Sequence, residues 1–300
     1  MKTVILKSLG ILLVFAAFAT FTNCSDDDDN DDPIVINDVM VVYNRATGVF
    51  SAINKTTGAL TSLGSISYEG QPLLGLRDVV YNSANGLVYA TSNANSPGDG
   101  IIYSINPSTL EATVLNDNAN DDWYSLPGIE MHNGKILGTV YWDDYNYEEY
   151  SGLIWLNLDG SINDVAYFTY EGDDYNVCCG MGLEYGVDSN QIYISYEREI
   201  VVSDLNGNVS EVIELTAVGF PPTRVAAGGG NGLGYVRCLE KDANGILYGL
   251  DQNGVFGTIN LELGTFNYIS SLNFQSSDRS ALADGSDWLA LSKIPENVFQ

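Results

Sequence analysis

Apolar positions along the chain fall into short blocks, and one kind of block recurs: an apolar run that ends in Asn or Asp and leads into a turn. It stands at residues 49–54 (VFSAIN), 101–106 (IIYSIN), 153–158 (LIWLNL), 200–205 (IVVSDL) and 255–260 (VFGTIN). The spacing of about 50 residues is that of a repeated supersecondary unit. The blocks are rich in Ile, Val, Phe and Tyr, residues that suit a pleated surface. Each is followed by a turn and a further strand, as in Lys55, Thr56, Thr57, Gly58 before ALTSL, or Asn206, Gly207 before NVSEVIEL. The last four blocks are preceded by hairpin patterns at 78–90 (DVVYNSANGLVYA), 128–141 (GIEMHNGKILGTVY), 182–195 (GLEYGVDSNQIYIS) and 236–249 (VRCLEKDANGILYG). The pairs Asn85-Gly86, Asn133-Gly134 and Asn244-Gly245 supply the positive φ angles that tight hairpin turns demand. The count predicts units of four strands, here lettered A to D.

Four-stranded units at this pitch, with no helical pattern between them, predict an all-β fold, a β-propeller. The Tyr-x-Ile-Asn … Thr-Gly style of the C and D strands resembles propellers of the quinoprotein-like and YVTN-like kind, across residues 39–291. The N-terminus offers strands B, C and D (MVVY, VFSAIN, ALTSL) without an A, while the C-terminus offers an A-like strand at 280–284. Pairing these ends closes the ring at five blades and removes exposed sheet edges. The leftover run 288–291 (WLAL) fits that scheme awkwardly, which leaves six blades, one of them reduced, as the alternative.

Before the repeats, Lys2 and Lys7 precede the apolar run of residues 9–19, which is followed by Phe21, Thr22, Asn23 and Cys24. This reads as a signal peptide over 1–23, and the run is shorter than the roughly 20 residues of a spanning helix. A cysteine at this point resembles a lipobox, in which Cys24 is acylated. Ser25 and the acids Asp26 to Asp29, Asp31 and Asp32 follow. Serine and an acidic run behind a lipidated cysteine look like the surface-export signal of Bacteroidetes lipoproteins. The same acids also make residues 24–36 a solvated, self-repelling tether. The expected organisation is signal peptide, lipidated tether and one propeller domain over 37–300, held at the outer membrane through lipid alone and exposed at the cell surface.

Charge narrows the partners. With 39 acidic against 12 basic residues the chain carries a formal net charge of −27, which repels nucleic acid and anionic lipid. Calcium is attracted by such a surface, but no stretch has the spaced ligand order that specifies it, and no other cofactor motif is present. His132, the single histidine, falls in the Asn133-Gly134 turn, so a histidine-centred triad or metal site is not expected and the side chain is expected in solvent.

Candidate chemistry gathers at two places. The A strands open with Gly75-Leu76-Arg77, Gly128-Ile129-Glu130, Gly182-Leu183-Glu184 and Tyr235-Val236-Arg237. Charges at equivalent positions would ring the axis as Arg77, Glu130, Glu184 and Arg237. Such a ring is either a polar binding funnel, with Glu130 and Glu184 as a glycosidase pair, or a set of ion pairs plugging the channel. The second place is the long loops at 116–126, 142–150 and 171–181, whose Trp123, Tyr124, Trp142, Tyr145 and Tyr175 stand among Asp and Asn; aromatic faces beside polar groups suit a sugar or a protein surface. Beyond Cys24, the cysteines are Cys178, Cys179 and Cys238; in an oxidising envelope one of the first two is expected to bridge to Cys238. The expectation is a monomeric, non-catalytic, surface-anchored module that binds glycan or protein. A propeller glycosidase or polysaccharide lyase, and a scaffold subunit of an outer-membrane complex, remain as alternatives.

Overall fold

A computed structural model of the chain describes residues 38–45, 47–92, 101–116, 126–143, 149–177, 182–188, 190–221, 232–272 and 289–299, with backbone alone at 141–143, 149, 150 and 289. They form five sheets, each with four antiparallel strands at its core. Blade 1 is built, from axis to rim, of Leu289–Pro295, Asp38–Asn44, Val49–Ile53 and Leu60–Ser65. Blade 2 uses Leu76–Asn82, Leu87–Ser92, Ile102–Asn106 and Glu111–Asn116. Blade 3 uses Ile129–His132, Lys135–Asp143, Glu149–Leu156 and Ile162–Tyr167, and blade 4 Leu183–Tyr185, Gln191–Tyr196, Glu199–Asp204 and Asn208–Glu214. Blade 5 comprises Val236–Lys241, Leu247–Asp251, Val255–Asn260 and Thr265–Ser271. The inner strands touch one another cyclically, the last against the first, so the fold is a five-bladed β-propeller.

The terminal strands do close the ring, but with a different segment from the one expected. Asp38 pairs with Pro295 and Asn44 with Leu289, in register throughout. The closing strand therefore takes up most of the WLAL run, and the six-bladed alternative falls because that run is consumed by blade 1. Its burial on both faces is the reason: Ala290, Leu291 and Ser292 in succession, and Ile294, are buried. Residues 280–284 lie outside the described residues.

Middle strands of each blade are covered on both faces by the neighbouring blades, so they read as continuous apolar runs instead of alternating ones; Val41, Val42 and Tyr43 in succession are at most 1% exposed. Tyr43, Phe50, Val79 and Tyr103 pack between blades 1 and 2, and Leu153, Phe168, Ile192 and Val201 between blades 3 and 4. Rim strands carry the polar side of the pattern, as in Leu60–Ser65 and Ile162–Tyr167.

Three connections that lead from a rim strand to the next axis strand add a short parallel segment to the rim: Ser67–Tyr68 on blade 2, Thr169–Tyr170 on blade 4 and Thr216–Val218 on blade 5. The first two fold back as hairpins on a Glu-Gly turn. Both turn residues have positive φ, 50° and 75° at Glu69 and Gly70, 54° and 92° at Glu171 and Gly172, the type I′ geometry that hairpin twist favours.

Candidate functional site

In four blades the inner strand turns an acidic side chain toward the axis. Glu130, Glu184 and Glu240, from blades 3, 4 and 5, bring carboxylate oxygens within 4.8 Å of one another. Asp78 of blade 2 lies beside them, and Lys293 of blade 1 places its ammonium 3.6 Å from Glu240. Glu184 and Glu240 are 5% exposed, as is Asp78.

Asp78, Glu184 and Glu240 stitch blades together. Asp78 accepts hydrogen bonds from its neighbour Val79 N–H (3.0 Å) and, across the blade boundary, from Ile129 N–H (2.8 Å). Glu184 does likewise with Tyr185 N–H (2.7 Å) and Lys241 N–H (2.6 Å) in blade 5. Glu240 accepts from Lys293 N–H in blade 1. Glu130 accepts from Met131 N–H, 3.0 Å away. Lys241 is held away from the carboxyls by Tyr185 C=O (2.5 Å) and Gly186 C=O (2.7 Å). Lys293 also donates to Lys241 C=O at 3.1 Å.

Three crowded carboxyls, two buried and that of Glu130 half-buried, beside one near ammonium cannot all ionise cheaply. Burial first, then the charge of Glu184, pushes Glu130 up to about 8. Burial raises Glu184 against the opposing effect of the Lys241 N–H bond and charge, and burial with the charges of Glu184 and Glu130 raises Glu240 well above the carboxylate range. Asp78 rises for the same reason, burial. The Tyr185 hydroxyl is buried against this cluster without a hydrogen-bond partner among the described residues, and burial followed by the charges of Glu130 and Glu184 raises it. His132 stacks on the Tyr185 ring, centroids 5.6 Å apart at 29°; it is half-buried, which lowers its pKa, and not the fully solvated turn residue expected. In chemical terms the cluster can share protons. Its all-oxygen donor set would also suit a hard cation such as calcium over zinc.

Glu130 and Glu184 thus come together as their common Gly-x-Glu spacing suggests, while Glu240, Asp78 and Lys293 were missed. The hairpin register slips by one residue between Leu76 and Asp78 and between Val236 and Cys238, which places Asp78 directly after Arg77, while Glu240 follows Cys238 by two residues where the other blades have Gly-x-Glu. Asp78 and Glu240 bring their blades' carboxyls to the cluster, where Arg77 and Arg237 were expected. The guanidinium of Arg237 donates to Gln252 at 3.2 Å and lies 5.5 Å over the Tyr235 ring. Among the loop aromatics, Tyr175 lines a cavity of about 360 Å³ with Ser151, Tyr167, Phe168, Thr169, Asp174 and Asn176. Trp142 pairs through its backbone with Tyr150. Trp123, Tyr124, Tyr145, Cys24, Cys178 and Cys179 lie outside the described residues. Cys238 is buried on the inner strand of blade 5.

The chain matches no known family model and no curated protein. Solved structures similar to it include a protein of unknown function from Bacteroides caccae, 12% identical, covering 76% of this chain and 71% of that one with a TM-score of 0.41. A putative 6-phosphogluconolactonase from Bacteroides uniformis is 14% identical, covering 80% and 69% with a TM-score of 0.39. The WD40 β-propeller domain of Doa1 is 12% identical, covering 78% and 79% with a TM-score of 0.41. Likeness at this level carries nothing about activity.

Proposed function

We propose that this chain is a non-catalytic binding module, lipid-anchored through Cys24 and displayed at the outer-membrane surface on its acidic tether, that captures glycan or protein with the loops and rim of its propeller. The observation that carries the reading is the bonding of the axial acids. Glu184 and Glu240 accept backbone N–H groups of the next blade and Asp78 does the same, which spends their lone pairs on holding the ring. A glycosidase pair must be open to a sugar ring, whereas Glu184 is buried, Glu130 is half-buried, and an oxygen of each stands within 4.8 Å of the other and of buried Glu240.

The expected staple from Cys178 or Cys179 to Cys238 belongs to the same reading. Gly182, three residues beyond Cys179, packs so closely on blade 5 that a Cβ there would stand 2.7 Å from the Cys238 Cα. Non-reducing peptide mass spectrometry should find one such bridge, and three free thiols would end the staple.

Binding and turnover are measured together by incubating the full chain with plant and microbial polysaccharides and following both retention and reducing-end release. Retention without release is the expected result. Release that disappears in Glu130→Gln or Glu184→Gln would establish the glycosidase instead.

A further inference from the structure

The cavity beside Tyr175 is built on a hairpin that the molecule contains twice. Residues 65–74 (SISYEGQPLL) and 167–176 (YFTYEGDDYN) have the same turn and the same closing bond, Leu73 N–H to Ile66 C=O at 2.8 Å in one and Tyr175 N–H to Phe168 C=O at 2.9 Å in the other. The scaffold is constant while the side chains around it are not. Where the hairpin between blades 1 and 2 has Ser65, Pro72, Leu73 and Leu74, the one between blades 3 and 4 has Tyr167, Asp174, Tyr175 and Asn176. All four of these replacements line the cavity.

The walls are set in place before any ligand arrives. Thr169 N–H donates to Gly207 C=O of blade 4 at 2.9 Å and Phe168 N–H to Ser151 C=O of blade 3 at 3.1 Å. The Ser151 hydroxyl, itself buried, accepts Val177 N–H at 2.7 Å and donates to Tyr175 C=O at 3.3 Å. Tyr170 fixes the Tyr175 ring edge-on, centroids 5.6 Å apart. Tyr167 is 53% exposed, and Asp174 and Asn176 are exposed at the mouth. Preorganised walls lower the ordering cost of binding.

We infer that this cavity is a subsite for a neutral sugar unit of a glycan, with Tyr167 and Tyr175 supplying ring surface and Asp174, Asn176 and Thr169 bonding hydroxyls. The inference rests on the binding-module reading and names its ligand. The volume, about 360 Å³, is at the small end of ligand pockets and far from the area of a protein interface. Sugars present C–H faces and a rim of hydroxyls, which match aromatic surface flanked by an amide, a carboxylate and a hydroxyl. Among the described residues of the lining Asp174 is the one charged side chain, and the chain is strongly acidic, so a uronic acid or sulfated sugar is repelled.

The test titrates the full chain, in detergent, with cellohexaose, xylohexaose, mannohexaose and maltohexaose, with oligogalacturonate as the acidic comparator, by isothermal calorimetry. At least one neutral oligosaccharide should bind and the acidic one should not. Tyr167→Ala and Asp174→Ala alter exposed side chains and leave the fold intact, and each should weaken that binding about tenfold or more, whereas Ser65→Ala at the sister hairpin should leave it unchanged. Neutral-sugar binding that both variants retain in full overturns this subsite and leaves the binding module standing. Silence toward all four neutral sugars also overturns it, and shifts the module to a protein ligand. Cleavage of the oligosaccharide during titration would defeat the binding-module reading itself.

Discussion

The axis and the rim of this propeller use the same residue types for opposite ends. At the axis, Asp78, Glu184 and Glu240 are buried and accept N–H groups from their own and the next blade, and the Tyr185 hydroxyl is enclosed with them. At the rim, Asp174 and Tyr167 face solvent across a cavity, on a hairpin held by its backbone bonds and by the Ser151 hydroxyl. A carboxylate or a tyrosine therefore says nothing about function until its hydrogen bonds are counted. Substitutions at the axis should act on stability and those at the rim on binding.

The widest gap between the two regions should appear with pH. For an acid whose folded pKa rises from 4.5 to about 8, as Glu130 does, the folded state holds a proton that the unfolded chain has released between those values. That stabilisation is complete below about 4.5 and lost as pH climbs through 8. Folding stability measured by urea titration should fall by on the order of 4 kcal/mol between pH 5 and 9, while sugar affinity at the rim should change little over pH 6 to 8. Next in size is Asp78→Ala, which strands the buried Ile129 and Val79 N–H groups and should cost about 3 kcal/mol without altering sugar affinity. Gly182→Ala would place a Cβ 2.4 Å from Leu239 N of the adjoining blade; overpacking there should cost about 2 kcal/mol, read as a lower midpoint in the same titration. Tyr167→Ala reverses the pattern, changing stability by less than about 0.5 kcal/mol while weakening the sugar.

Sequence reading found the ring because its recurring blocks are the C strands of the five blades, and found Glu130 and Glu184 because each follows a glycine by two residues. It lost Asp78 because the extra residue at Arg77 breaks a count that runs forward from the glycine, and Glu240 because the residue two places before it is Cys238, not a glycine. Counting from the partner strand would have kept Glu240: Glu184 faces Tyr193 and Glu240 faces Tyr248, each in an apolar-Tyr motif. Lys293 escapes the sequence reading because that reading places the closing strand at 280–284, whereas the strand that pairs with Asp38–Asn44 is Leu289–Pro295. The rim hairpins were legible as a repeated Tyr-Glu-Gly at 68–70 and 170–172, but turns were sought as Asn-Gly, and a glutamate at positive φ is an uncommon choice.

The claim on which the account turns is that the axial glutamates serve the ring as a proton-sharing latch. Urea unfolding of the wild type and of Glu130→Gln at pH 5 and pH 9 tests it most directly, because glutamine imitates the protonated acid and cannot ionise. The account predicts that the wild type loses stability at pH 9 and that Glu130→Gln loses markedly less, ending more stable than the wild type there. Stability that rises with pH in the wild type, or a glutamine variant weakened equally at both values, would contradict it.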